Sequence, residues 1–188
     1  FDGPGRVANY EAEVEAFVIH SLSKAYNGKN APRLVLVSPI AFEDLSKQRD
    51  LPNGKTENAH LELYAAAMER VAKKHGLTYV DLFKPTLAAY AQAKTPFTIN
   101  GFAPTDAGYR EMAKLLADGL YGPAPRTSKA DESRVNTAVK SKDFFWNTDY
   151  AIVNGVHTHG QRYNPFGTQN YPAEVAKARE MTALRDDL

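Results

Sequence analysis

The chain has 188 residues, the length of one ordinary domain, with 43% apolar and 24% charged residues, which excludes disordered and fibrous classes. Lys+Arg 23 against Asp+Glu 22 leave a formal charge of +1, so no field steers nucleic acid or an anionic membrane, and no basic run supplies one locally. Cysteine is absent, which removes disulfides, thiolate zinc sites, iron–sulfur clusters and thiol nucleophiles without fixing a redox compartment.

Phe1 is neither an initiator Met nor the start of a signal peptide, since no charged stretch and apolar run follow it, and further polypeptide is expected upstream. From Tyr10 to about Asn27 the spacing predicts an amphipathic helix with Tyr10, Val14, Phe17, Leu22 and Ala25 on one face, stopped by Asn27-Gly28. Leu34 to Val37 (LVLV), apolar on both faces and far too short to cross a bilayer, suits a central strand of a parallel sheet. Phe42 to Thr56 is a polar connection. Thr56 to His75 repeats Leu61, Tyr64, Ala65, Met68 and Val71 at helical spacing and is ended by Gly76. Leu77 to Phe83 (LTYVDLF) is the second strand and Pro85 to about Lys94 a short helix. The loop from Thr95 to Pro104 leads into a helix from Thr105 to Leu120, with Thr105 as N-cap and Asp106 in the first turn.

Gly122-Pro123 closes this unit, residues 123–133 read as a polar linker, and residues 134–188 as an aromatic-rich tail wrapping the domain, with a helix over Ala173 to Asp187. The element order predicts an α/β fold with right-handed crossovers. Two strands alone leave backbone N–H and C=O groups unpaired along the sheet edges, so an upstream segment or, as the less favoured source, a partner protein is expected to complete the sheet.

The segment Phe97 to Arg110 (FTINGFAPTDAGYR) resembles a motif of the SGNH (GDSL-type) hydrolases, in which a loop reading Asp-Gly-x-His, commonly followed by Pro-Thr-Asp-Ala-Gly-Tyr, precedes the last helix. Leu34 to Pro39 (LVLVSP) resembles that family's fourth strand and its exit turn, and Thr56 to His75 with LTYVDLF its next helix and strand. Phe1 to Val18 is similar to the stretch after the block holding the oxyanion-hole Asn. The resemblance spans residues 1–122, is closest to SGNH domains of planctomycete-type proteins, and extends to their C-terminal extension through Val153-Asn154-Gly155 and Pro165-Phe166-Gly167. It implies a flavodoxin-like three-layer α/β/α core, incomplete in this chain, with an extended C-terminal tail and an extracytoplasmic setting.

The resemblance also implies a triad that these residues do not supply. The Asp position holds Asn100 and the His position Ala103. An amide orients a ring but carries no charge, and loss of that charge in a related triad lowers turnover about 10⁴-fold. A methyl group offers no base, a loss on the order of 10⁶ in a serine hydrolase. The family's Gly-Asp-Ser and Gly-x-Asn blocks lie ahead of the stretch that this chain resembles, and no Gly-x-Ser-x-Gly elbow replaces them.

Asn154-Gly155-Val156-His157 repeats the spacing of residues 100–103 with His at the fourth place, and His159 follows. His157 as a surrogate base, or His157 with His159 as metal ligands, competes with the favoured reading of a turn with exposed imidazoles, and no third zinc ligand can be nominated. His20 sits within the first helix, His60 near a helix start among Glu57, Asn58 and Glu62, and His75 in a last turn, where it suits the helix dipole. Glu43-Asp44 and Asp186-Asp187 read as solvated pairs, and Asp81 as a hydrogen-bonded strand residue. Trp146, Tyr150, Tyr163, Phe166 and Tyr171 read as anchors of the tail ahead of a stacking surface for a sugar or base. Gly3-Pro4-Gly5 lacks the Lys and Ser/Thr of a phosphate loop.

Two functions remain open at this level. One is a catalytically inactive SGNH-like scaffold or protein-interaction subunit of a larger assembly. The other is a serine esterase, implied by the resemblance to act on acyl esters including acetylated carbohydrate, whose nucleophile lies outside the chain. Neither requires a cofactor.

Overall fold

A computed structural model describes residues 3–123, 129–150 and 171–187. The chain divides into two compact units, Phe1–Ala124 and Pro125–Leu188. The first is mixed α/β. A 3₁₀ turn at Pro4–Arg6 leads into α1 (Val7–Leu22), followed by β1 (Val35–Val37), α2 (Lys55–Lys74), β2 (Thr78–Val80), α3 (Phe83–Gln92) and α4 (Asp106–Tyr121). The second contains α5 (Lys129–Tyr150) and α6 (Tyr171–Ala183).

β1 and β2 pair in parallel, with Val35 opposite Thr78, Leu36 opposite Tyr79 and Val37 opposite Val80. Side chains alternate along a strand, so Leu36 and Tyr79 share one face. There they join Val14, Val18 and Leu22 of α1 with Met68, Val71 and Ala72 of α2 in one apolar cluster. On the opposite face Val80 lies against α4, where Gly119 leaves room for it: a Cβ at that glycine would stand 2.5 Å from Val80 Cγ1. Helices therefore lie on both faces of the strand pair, the arrangement that two-sided apolar strands demand.

Several element ends differ from the sequence pattern for identifiable reasons. The inward ridge of α1 is Tyr10, Val14, Val18 and Leu22, a strict four-residue spacing; Val18 is fully buried whereas Phe17 is 62% exposed and Ala25 lies beyond the helix. The helix stops at Leu22, and the Ser23 hydroxyl donates to the His20 carbonyl. Asn27-Gly28 instead closes a separate turn, with the Asn27 Oδ1 accepting from the N–H groups of Lys29 and Asn30. β2 ends at Val80 because the next backbone donors are taken by side chains. Ser38 Oγ accepts from Leu82 N–H at 2.7 Å and Phe83 N–H at 3.0 Å, and Asp81 Oδ1 accepts from Phe83 N–H at 2.8 Å. These acceptors open α3 at Phe83, two residues before the expected start. Pro85 then sits in the first turn, where its missing N–H has no helical acceptor to lose.

In the second unit, residues 129–150 form α5 where the sequence suggested a linker and an aperiodic tail. The less exposed positions of α5 are Ala138, Ser141, Lys142 and Phe145, spaced by three or four residues. That stripe is mostly small or polar, so it carries little hydrophobic periodicity. It faces α6 and the turn after it: Arg185 lies over the Phe145 ring at 3.8 Å, donates to Ser141 Oγ, and is joined by a Lys142–Asp186 ion pair. Asp186 is thus a paired carboxylate. Phe144 and Trp146 stay substantially exposed on the same helix. Residues 151–170, with His157, His159, Tyr163 and Phe166, lie outside the described residues, as do the side chains of Tyr150 and Tyr171.

Candidate functional site

The loop that leaves β1 and the loop before α4 meet at the carboxyl end of the two strands, and one carboxylate fixes their junction. Glu43 is only 5% exposed. Its Oε1 accepts from Phe97 N–H at 3.0 Å, and its Oε2 accepts from Thr98 N–H and Thr98 Oγ1–H, both at 2.6 Å. The Glu43 N–H donates in turn to the Gly101 carbonyl at 2.8 Å. Burial of a carboxylate is tolerated when several donors converge on it, and here three do. The adjacent Asp44 is the exposed member of the pair and accepts from Ser46; that hydroxyl and N–H hold its carboxyl below the usual range.

Within the loop, Thr98 and Pro104 form an isolated antiparallel bridge, with Ile99 N–H donating to the Ala103 carbonyl at 2.7 Å. Asn100 sits at the bend. Its Oδ1 accepts from Ala103 N–H at 2.8 Å and Phe102 N–H at 3.3 Å, an Asx turn that satisfies the loop's own backbone. Gly101 takes φ +94°, and a Cβ there would fall 2.2 Å from the Phe42 ring, so glycine is required both by conformation and by the ring beneath it. Thr105 caps α4 as the sequence indicates, its Oγ1 accepting from Gly108 N–H at 3.2 Å and donating to the Phe97 carbonyl.

The β1 exit is held equally firmly on its other side. Thr86 Oγ1 accepts from Ala41 N–H, while the Asn58 side chain accepts from Phe42 N–H at 2.7 Å and donates to the Phe42 carbonyl at 2.9 Å. Beside this fixed segment lies a cleft of about 570 Å³. Pro39, Ile40, Ala41 and Phe42 form its floor, Thr56, Glu57, His60 and Leu61 of α2 one wall, and Phe102 its rim. Sequence reasoning placed His60 only near a helix start. Its shared cleft with Phe102 depends on a long-range approach that local spacing does not reveal.

The other histidines go elsewhere. His75 Nε2 lies 2.8 Å from Glu15 Oε1 of α1, where Lys74 and His75 lower the Glu15 carboxyl pKa. His20 is exposed. Among the described residues, no three His, Asp or Glu side chains gather into a group able to hold a metal ion. No helix among them is long and apolar enough to cross a membrane.

Two tyrosines give this region an alkaline limit. Tyr90 carries a buried hydroxyl without a hydrogen-bond partner, and burial, with the Glu43 charge second, pushes its pKa up to about 12. Burial and the Asp81 charge do the same for Tyr79, also to about 12. Both values exceed the ordinary 10.0, so the folded state retains protons that the unfolded chain releases. The tyrosine contribution is therefore complete below about pH 10 and is lost as pH rises toward 12. Urea midpoints are expected to fall across that interval, and to fall less steeply in a Tyr79→Phe, Tyr90→Phe double variant. An equal slope in both proteins would show that these hydroxyls do not set it.

No family model, curated protein or solved structure matches the chain.

Proposed function

We propose that residues 1–122 are the back portion of a flavodoxin-like SGNH-hydrolase domain that performs no acyl transfer as written and serves as a scaffold or protein-contact subunit. The observation that carries this reading is the state of Asn100 and Ala103. A catalytic carboxylate in that loop must be free to orient and stabilise an imidazolium. Asn100 Oδ1 is instead committed to two backbone donors of its own loop, one of them the N–H of residue 103. The residue that should carry the base carries a methyl group, so the loop is self-satisfied and has no proton to move.

The scaffold role draws on the sheet. The described strands form a single parallel pair, and Val35 of β1 is 43% exposed. A strand edge with unpaired backbone groups is a template for another strand. An upstream segment or a partner protein adding strands there would satisfy those groups and cover Val35.

The test is hydrolysis of 4-nitrophenyl acetate by the complete gene product, unmodified and as an Asn100→Asp, Ala103→His version. The unmodified protein is expected at the buffer rate, with at least about a hundredfold gain on restoring both groups, a modest share of what a base contributes. Serine-dependent turnover by the unmodified protein would overturn the scaffold reading and favour an esterase. Silence in both versions would remove the SGNH ancestry from it.

A further inference from the structure

The cleft between the β1 exit and α2 has a composition that the scaffold reading does not use. Its floor is apolar and immobilised: Phe42 is tied by its N–H and its carbonyl to Asn58, and its ring is held beneath Gly101 and beside Gly54, where added Cβ atoms would come within 2.2 and 2.9 Å of it. Its volume of about 570 Å³ lies in the range of small-molecule sites. The rim residue Phe102 is 62% exposed, a large apolar side chain left in water at the mouth of an apolar hollow.

Three polar side chains line this cleft with no hydrogen-bond or ion-pair partner among the described residues, Thr56, Glu57 and His60, and the last two carry ionisable groups. Glu57 and His60 are three residues apart on α2 and so share a helix face. Glu57 is the one formally charged side chain among the described lining residues. Lys55, the nearest cation in sequence, borders a different hollow with Glu43 and Asp44. Glu57 also lies in the first turn of α2, where its charge offsets the positive helix end that would repel a cation.

We propose that this cleft is a binding site for a small organic ammonium with an apolar body. The apolar body lies against Pro39, Ile40 and Phe42 of the floor and Leu61 of the wall. The ammonium group pairs with the Glu57 carboxylate and lies against the Phe102 ring. His60 accepts a second ammonium proton through its unprotonated ring nitrogen. This assignment does not depend on the hydrolase ancestry, because it invokes neither Asn100 nor Ala103.

The test is titration of the full chain with 2-phenylethylammonium, 2-phenylethanol and phenylacetate, followed by two-dimensional NMR of the backbone amides. The ammonium is expected to shift the His60, Leu61 and Phe102 signals saturably, with the alcohol weaker and the carboxylate weakest. Glu57→Gln is expected to weaken ammonium binding roughly tenfold, the loss of one charge-assisted hydrogen bond. Phe102→Ala, at an exposed loop tip, should weaken it about fivefold and carries the test if Glu57→Gln perturbs the fold. The proposal is overturned if no probe saturates, if phenylacetate or the alcohol binds as tightly as the ammonium, or if a folded Glu57→Gln protein binds unchanged.

Discussion

Glu43→Ala is expected to destabilise the first unit by about 4 kcal/mol and to release the loop of residues 97–104. The carboxylate accepts from three buried or half-buried donors. Removing it leaves the N–H groups of Phe97 and Thr98 and the Thr98 hydroxyl without an acceptor, and Thr98 is fully buried. Each unsatisfied buried donor costs about 1–3 kcal/mol, with partial relief as the loop loosens and water enters. Glu43→Gln preserves shape but turns one acceptor atom into a donor facing another donor, so about 2 kcal/mol is expected. Urea denaturation measures both, and amide hydrogen exchange should locate the opening at residues 97–101. A Glu43→Ala protein within about 0.5 kcal/mol of the unmodified one would show that the carboxylate does not hold the loops together.

The second large effect reverses the usual rule for a helix. Alanine is favoured over glycine inside helices by about 1 kcal/mol. Gly108 lies in the first turn of α4, yet a Cβ there would stand 2.0 Å from the Phe97 carbonyl oxygen and 3.2 Å from Pro104 Cβ. That carbonyl cannot simply retreat, because it accepts from both the Thr105 N–H and the Thr105 hydroxyl. Gly108→Ala is therefore expected to destabilise by about 3 kcal/mol, at the upper end for overpacking against backbone. Gly5→Ala, where nothing lies within 4 Å, is the control and should change stability little. A stabilised Gly108→Ala protein would contradict the packing of α4 against the loop.

What the sequence disclosed follows from the range of the interactions involved. The α2 helix, both strands and the Thr105 cap were legible because their signals are local: helical repeats, β-branched runs, and a side-chain oxygen three residues before the N–H it serves. The face of α1 was misread by one position, Phe17 for Val18, since Tyr10, Val14 and Leu22 fit either choice. α5 escaped notice because its shared stripe is built from Ala138, Ser141 and Lys142, not from large apolar residues. At the site, Asn100 and Ala103 stood out only through the resemblance of residues 97–110 to the SGNH loop, which implies an Asp and a His at those two positions. Glu43 read as half of a solvated acidic pair, because its donors lie 54 and 55 residues away. His60 and Glu57 share a cleft with Phe102 only because the fold carries that loop to α2.

The proposal that the loop holds no working proton relay is tested most directly by exposing the unmodified, complete gene product to a serine-directed fluorophosphonate and measuring its intact mass. An unactivated hydroxyl reacts slowly, since a serine needs an adjacent base to become a nucleophile. The expected result is no adduct beyond that of a heat-unfolded control. One stoichiometric adduct on a single serine, formed only by the folded protein, would contradict the account, because it requires a base acting where residue 103 offers none.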